Sequence, residues 1–251
     1  MNCFKQLSFT ILFLFFSCTL LVAQDAKQIV QNAVDHLRGN SAISEINFKV
    51  IRPAWNRSMD IKSWSKGDDY ALILILSPAK DKGTAFLKRK KEIWNWLPSL
   101  ERTIKLPPSM MSQSWMGTDF TNDDLVQESS IVDDYTHTIL GNELVEGYDC
   151  YKIELVPNTD AAVVWGKIIL WIEKNNFLQL RTEFYDEDNY LINTLQGSEV
   201  KVLDGRLLPT KMVMSPADKP GHLTVITYKT LKLNMNIEDN FFTLQNLKKV
   251  K

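Results

Sequence analysis

Residues 45–50 read EINFKV, a stretch in which apolar and polar side chains alternate strictly. The same alternation returns in YKIEL at residues 151–155 and in LQLRTEFY at residues 178–185. Successive side chains of a β-strand point to opposite faces of the sheet, so a period of two predicts a strand with one buried face and one wet face. These stretches predict a protein that is mainly β.

Turn signals separate the predicted strands at short intervals. They combine glycine, proline, asparagine and aspartate, the residues that tight turns favour. The clearest hairpin has Asp204-Gly205 between two apolar runs. We count ten or eleven strands, with no alternation of strands and helices and no internal repeat. The sequence therefore predicts a single antiparallel domain over residues 24–251.

A helix is predicted ahead of the first strand. Asp25 precedes it as a capping residue, and Gly39-Asn40 ends it. Its apolar residues recur at the spacing of one helical face, which needs a sheet to cover. They are Ala26, Ile29, Val30, Ala33, Val34 and Leu37.

Three segments depart from the alternation. Residues 71–76, ALILIL, are apolar on both faces, so this strand is predicted to be covered on both sides. Residues 88–91, KRKK, are predicted to be the wet edge of a strand. Residues 107–117, PPSMMSQSWMG, are predicted to form one or two brief helices over the sheet, and Thr121 is predicted to cap another.

The first 23 residues have the pattern of a cleaved signal peptide. Lys5 supplies a positive charge, residues 7–16 are nearly all apolar, and small residues near Ala23 offer a cleavage site. An uncleaved membrane anchor and lipidation at Cys18 are the alternatives. Cleavage predicts an exported protein of the bacterial periplasm.

The mature chain has nearly balanced charges. Without residues 1–23 the chain holds 28 basic and 30 acidic residues, a formal charge of −2. This gives no reason to expect nucleic acid or an anionic membrane surface as the main partner. Cys150 is the only cysteine beyond the signal segment, so an intramolecular disulfide is excluded.

The residues that catalysis needs are sparse. His36, His137 and His222 lack a second histidine or cysteine at metal-ligand spacing. Cys150 has no histidine near it in sequence, and no nucleophile elbow, phosphate-binding loop or dinucleotide-binding motif is present. We therefore predict a protein that is not an enzyme and needs no cofactor.

The best candidate for a metal site is a group of acidic residues, Asp119, Asp123, Asp124 and Glu128. This group lacks the glycine and the alternate spacing of a calcium-binding loop. Capping of a helix and compensation of its dipole account for the same residues. We therefore predict no metal site.

Residues 94–125, WNWLPSLERTIKLPPSMMSQSWMGTDFTNDDL, closely resemble the signature of the outer-membrane lipoprotein-sorting protein family, the LolA-like group of bacteria. The matching pieces are a tryptophan-rich strand ending in Leu97-Pro98, then Arg102, a segment rich in serine and methionine, and MGTDF at residues 116–120. The order of signal peptide, first helix and strands also fits. The resemblance therefore covers essentially the whole mature chain.

The resemblance implies an antiparallel half-open β-barrel with an N-terminal helix, lidded on its concave side by short helices. It implies an apolar cavity for acyl chains of lipids or lipoproteins. Arg52, Arg57 and Arg102 are the candidates for an arginine that contacts cargo. The residues expected to line or lid the cavity are Leu72, Leu74, Leu76, Trp94, Trp96, Met110, Met111, Trp115, Met116 and Phe120.

Three functions remain open at this point. The first is a monomeric periplasmic carrier, which binds lipid or acylated lipoprotein cargo received from an inner-membrane export complex. The second is an interaction subunit that docks onto an inner-membrane transporter, in which case residues 107–120 are core or a protein-binding patch. The third, a hydrolase, requires His137 or His222 to meet an acid and a nucleophile remote in sequence.

Overall fold

The computed structural model describes residues 25–126 and 130–250. The predicted signal peptide, with Cys18, lies outside the described residues, and so does Glu128. Helix α1 (Ala26–Arg38) precedes the sheet, and the Asp25 carboxylate accepts a hydrogen bond from the backbone N–H of Lys27. The predicted helix and its cap are confirmed.

The described residues contain thirteen strands, all in one sheet. The first six are β1 (Ser41–Arg52), β2 (Trp55–Lys66), β3 (Tyr70–Ser77), β4 (Ala85–Arg89), β5 (Glu92–Leu97) and β6 (Arg102–Lys105). The other seven are β7 (Tyr135–Val145), β8 (Tyr148–Pro157), β9 (Lys167–Glu173), β10 (Gln179–Tyr185), β11 (Leu191–Leu203), β12 (Arg206–Pro216) and β13 (Leu223–Leu233).

The sheet is one open curled meander. Strands β1 to β6 and strands β7 to β13 each pair in sequence order, and β1 pairs with β13 to join the two halves. All of these pairings are antiparallel. The edges of the open barrel are therefore β6 and β7, and the chain between them crosses from one edge to the other. The predicted mainly β, half-open barrel is confirmed.

Of two hairpin turns, one carries a clear signal in the sequence and the other carries none, so the observed strands outnumber the predicted ones. The predicted β11–β12 hairpin is confirmed, with Asp204 at φ 49° and Gly205 at φ 78°. The β4–β5 turn is made of Lys90 and Lys91, which carry none of the usual turn residues. The predicted wet strand edge at residues 88–91 is wrong, because β4 pairs on both sides and Lys88 is only 7% exposed.

The sheet has an inner face, which carries α1 and the crossing segment, and an outer face on its other side. Buried residues of α1 pack on the inner face of β8 and β9. Helices α2 (Asn122–Val126) and α3 (Ser130–Asp133) lie in the crossing segment. Residues 234–250, which include α4 (Leu244–Leu247), pack on the outer face of β2 to β5. We call residues 234–250 the strap.

Strand β3 is covered on both faces, as predicted. Leu72 and Leu74 point to the outer face and pack under the strap, whereas Ile73 and Ile75 point to the inner face. All four side chains are at most 5% exposed. Within residues 25–126 and 130–250, no helix has the length and apolar composition needed to cross a membrane.

Candidate functional site: a plug on the inner face

Residues 107–125 form a compact body on the inner face, which we call the plug. It contains two 3-10 turns, Pro108–Met110 and Trp115–Gly117, and the first part of α2 (Asn122–Val126). The short helices predicted over the sheet are thereby confirmed. Backbone hydrogen bonds from Trp115 N to Phe120 O (2.8 Å) and from Asn122 N to Gln113 O (2.9 Å) close the plug into a loop.

Two aromatic side chains at the tip of the plug fill the inner face of the sheet. Trp115 is 1% exposed and Phe120 is 6% exposed. The Trp115 ring lies 5.3 Å from the Phe48 ring and 5.6 Å from the Phe86 ring, and the Phe120 ring lies 6.0 Å from that of Phe48. These tilted and edge-on geometries are those that aromatic pairs prefer. The plug is thus held partly by apolar burial.

A buried ion pair fastens the plug to β1. Arg52 Nη1 lies 3.0 Å from Asp119 Oδ2, and Arg52 Nη2 lies 2.9 Å from Asp119 Oδ1. The two side chains are only 10% and 7% exposed. The Thr224 hydroxyl on β13 also donates to Asp119 Oδ2 at 2.6 Å. A bidentate pair with an added hydrogen bond is the arrangement that compensates best for burying two charges.

A second arginine holds the next residues of the plug. Arg57 Nη2 donates to the carbonyl oxygen of Met116 and lies 3.2 Å from the Met59 sulfur. Met116 has φ 51°, in the left-handed region that a long side chain rarely adopts, and Gly117 follows at φ 72°. The tip of the plug is therefore a strained turn that its contacts with the sheet keep in place.

The rear of the plug carries the acidic residues. Thr121 and Asp124 cap α2 reciprocally: Asp124 N donates to Thr121 Oγ1 at 3.1 Å, and Thr121 N donates to Asp124 Oδ2 at 2.7 Å. Asp124 Oδ1 also accepts from the Trp165 indole N–H at 2.8 Å. The predicted capping role of Thr121 is confirmed.

Asp123 and Lys88 are both buried at the rear of the plug. Burial raises the pKa of Asp123 to about 7, and the nearby Asp124 carboxylate adds to the rise. Burial lowers the pKa of Lys88 to about 8. In both groups the charged form is disfavoured because the buried side chain has lost part of its hydration. This end of the plug is therefore its pH-sensitive part.

Five of the predicted lining residues lie in the plug, and five do not. Trp115, Met116 and Phe120 belong to the cluster on the inner face of the sheet. Met110 and Met111 pack against Ile93 and Leu106 at the β5 edge of the same face. The prediction that the other five lie with them on one face is wrong. Strand alternation turns these five side chains to the outer face, where they pack with the strap. They are Leu72, Leu74, Leu76, Trp94 and Trp96.

The sheet side of the site consists of residues that carry no distinct signal in the sequence. Residues under the plug are Phe48, Met59, Ile73, Ile75, Phe86 and Met214. The period-two pattern marks each as buried on one face, but it does not say which strand faces the plug. Of the three arginines considered, Arg52 and Arg57 hold the plug, whereas Arg102 is exposed on the edge strand β6.

One cavity lies beside the plug, between α1 and strands β11 and β12. Its volume is about 40 Å³, and Leu195 and Met212 line its sheet side. Sites for small organic ligands usually measure roughly 300–1,000 Å³. The cavity is therefore far smaller than such a site.

The candidate catalytic groups do not come together. His137 Nε2 lies 2.8 Å from the carbonyl oxygen of Ile131, and burial lowers the pKa of this imidazole. Cys150 is fully buried, and burial raises the pKa of its thiol to about 11, which disfavours the reactive thiolate. Among the described residues, no three His, Cys, Asp or Glu side chains converge as metal ligands would.

The sequence matches one protein-family model. A family model described as "Uncharacterized protein" matches residues 67–249. This chain belongs to that family. No curated protein matches the chain.

Three solved structures are similar over nearly their whole length. A DUF1329 family protein from Desulfovibrio piger is 26% identical, with TM-score 0.78, over 88% of this chain and 98% of its own. An outer membrane lipoprotein-sorting protein domain from Vibrio parahaemolyticus is 25% identical, with TM-score 0.78, over 89% and 98%. A LolA superfamily protein from Nitrosomonas europaea is 27% identical, with TM-score 0.76, over 89% and 99%. The LolA-like fold and the resemblance are confirmed.

Proposed function

We propose that this chain is a periplasmic carrier that binds acyl chains of lipids or lipoproteins on the inner face of its sheet, with the plug as a lid. The observation that carries the proposal is the composition of the plug contacts. Trp115 and Phe120 cover an apolar surface, while Arg52 and Arg57 hold the backbone and one carboxylate of the same segment. Apolar contacts can be exchanged for a lipid chain, and polar contacts define the closed position.

Exchange of plug for cargo is physically reasonable because both are apolar. A large side chain such as Trp115 gains roughly 1.5–3 kcal/mol when it is buried, and an acyl chain gains about 0.8 kcal/mol per CH₂ group. A long chain therefore offsets the exposure of several plug side chains. The Trp115 indole N–H has no hydrogen-bond partner among the described residues, which lowers the cost of releasing it.

The carrier would act without a catalytic step. Its predicted export signal and the description of a similar structure as an outer membrane lipoprotein-sorting domain support a role in moving cargo across the periplasm. The proposed donor is an inner-membrane export complex, and the proposed working form is a monomer.

An interaction subunit that docks onto an inner-membrane transporter is the second candidate. The tight filling of the inner face favours it, because the cavity beside the plug holds only about 40 Å³. In that case the plug is permanent core and no cargo enters.

Native mass spectrometry with lipid extraction separates the two candidates. The sample is residues 24–251, purified from a periplasm without detergent. We expect a phospholipid or acylated species at about one per chain, since one inner face offers one site. A protein that is free of lipid, and stays so after incubation with lipids, would leave the fold standing and favour the docking subunit.

A pair of variants locates the cargo site. Trp115→Ser with Met111→Ser alters the lid, and Leu72→Ser with Leu74→Ser alters a buried strand on the outer face. Each pair replaces two buried apolar side chains with serine, so circular dichroism and thermal melts check that each protein still folds. We expect cargo retention to be lost in the first pair alone. Equal retention in both pairs would show that the plug is not the lid.

A further inference from the structure

A cleft opens on the outer face where the β4–β5 turn meets the strap. Its volume is about 600 Å³. Leu87, Trp94 and Leu244 provide apolar surface, and Leu244 is 43% exposed. The rim is formed by the turn and its flanks, namely Arg89, Lys90, Lys91 and Glu92.

The rim of this cleft is positively charged. Glu92, its only acid, forms an ion pair with Lys105 of the neighbouring strand. Arg89, Lys90 and Lys91 are all exposed, and none of them pairs with an acidic residue of the described ranges. Three cations without an ion-pair partner in the described ranges thus stand together, and the exposed Asp69 of the β2–β3 turn, whose carbonyl accepts from the Lys90 backbone N–H at 2.6 Å, only partly offsets them. The total formal charge of the chain is −1. The net charge of the whole chain therefore does not reveal the positive charge of this rim.

The turn itself uses a residue that hairpin geometry disfavours. Lys90 has φ 56°, where glycine, asparagine or aspartate is usual. The β7–β8 turn uses Glu146-Gly147 and the β11–β12 turn uses Asp204-Gly205, both with the expected glycine. Glu146 has φ 52° at the equivalent position, so a left-handed residue with a long side chain is not unusual in this sheet. What distinguishes the β4–β5 turn is the positive charge that Lys90 and Lys91 present at its tip.

We propose that the β4–β5 turn and its cleft dock the protein onto an anionic lipid bilayer. The three cations fit the phosphates of lipid headgroups, while Trp94 and the exposed Leu244 fit the boundary between headgroups and acyl chains. The cleft lies on the face opposite to the plug, so docking leaves the lid free to open. This inference goes beyond the proposed cargo binding and depends on different residues.

Vesicle flotation tests the docking surface. Residues 24–251 are mixed with vesicles of phosphatidylglycerol and phosphatidylcholine in about equal parts, or of phosphatidylcholine alone. We expect binding to the anionic vesicles only, and loss of that binding at about 0.5 M salt, where screening shortens the reach of the charges to a few ångströms. Binding to both vesicles alike, or to neither, would overturn the proposal.

A triple variant and a matched control assign the binding to the turn. Arg89→Gln with Lys90→Asn and Lys91→Gln should weaken binding about a hundredfold, since each cation near an anionic surface contributes several-fold. The control is Lys49→Gln with Lys219→Gln and Lys232→Gln, which removes the same charge from three other exposed lysines. An equal loss in both variants would mean that only net charge matters, and an acidic protein partner would then be the better occupant.

Cargo uptake provides the independent readout. The triple variant at the turn should take up an acyl probe as the unmodified protein does, because the inner face is untouched. Loss of vesicle binding with normal uptake therefore supports docking regardless of the fate of the carrier proposal. If the variant loses both, the turn is needed for folding or for the cargo site, and the docking assignment fails.

Discussion

The sheet has two apolar covers on the same strands, and they are held in different ways. The plug lies on the inner face and the strap lies on the outer face. In the strap, Phe242 stacks on Tyr70 at 5.3 Å, and Phe241 lies 5.4 Å from Trp64. These are apolar contacts with no buried charge among them, and they need no particular protonation state.

The plug combines apolar burial with features that weaken it. It contains the buried Arg52–Asp119 pair, the left-handed residue Met116 and the Trp115 indole N–H, which has no hydrogen-bond partner within residues 25–126 and 130–250. Each of these costs free energy that the closed position must offset. The proposed carrier requires this difference: a strap that is a permanent part of the core and a plug that can be released.

The largest effect is expected for the strap. Phe242 is fully buried, so Phe242→Ala should lower the free energy of unfolding by about 3–5 kcal/mol through lost burial and an unfilled cavity. Denaturation in urea measures this. In the same segment Leu244 is 43% exposed, and Leu244→Ala should cost less than about 1 kcal/mol. If Phe242→Ala lowers the free energy of unfolding only slightly, the strap detaches easily, and the two covers do not differ in the way described.

An intermediate effect is expected for the ion pair of the plug. Arg52→Met leaves Asp119 buried without its partner, a change that costs about 3–5 kcal/mol unless the plug opens to hydrate the carboxylate. We therefore expect faster amide exchange at residues 113–122, at a cost limited to the free energy of opening. Arg52→Met with Asp119→Leu should restore protection.

The exposed Lys105–Glu92 pair is the control for this variant. Its side chains are 58% and 51% exposed, so Lys105→Met should cost less than about 1 kcal/mol and leave exchange in the plug unchanged. Global unfolding of the Arg52→Met protein, with no selective exchange in the plug, would contradict a releasable cover.

The smallest effect is the pH dependence of the plug. Burial in the closed plug raises the pKa of Asp123 from its ordinary 3.8 to about 7, so the closed form binds the extra proton. Its stabilisation is complete below about pH 4 and falls as the pH rises to 7, by roughly 2–4 kcal/mol in total. The pKa of Lys88, about 8, acts only at higher pH.

Amide exchange of residues 113–122 at pH 5 and pH 8, corrected for intrinsic rates, measures this dependence. Protection should be greater at pH 5, and Asp123→Asn should remove the difference. The strap should show no corresponding change in this variant. A difference that persists in Asp123→Asn would assign the pH dependence to another group.

Much of the fold could be predicted, because its signals are local. The alternation at residues 45–50, the capped first helix and the Asp204-Gly205 turn each depend on neighbours in sequence, and all three appear as predicted. The β4–β5 hairpin could not be predicted from turn chemistry, since Lys90-Lys91 lacks the residues that mark such turns.

The candidate site was predicted only in part. The composition of the plug indicated a cover, and Trp115 and Phe120 lie in it as expected. Leu72 and Trp94 are predicted beside them because both are apolar, but apolar character alone does not tell which face of the sheet a side chain occupies. Both lie under the strap, and a shift of one residue in strand register would have exchanged the two faces.

The sequence by itself determined most of the strands, which side chains avoid water and where the plug segment lies, because periodicity and composition act over a few residues. Only the tertiary structure decided which face each cover occupies. It also decided that Arg52 meets Asp119 and that Lys88 lies buried near Asp123. Those contacts join residues far apart in the chain, and they depend on the curl and register of the whole sheet, which no local pattern encodes.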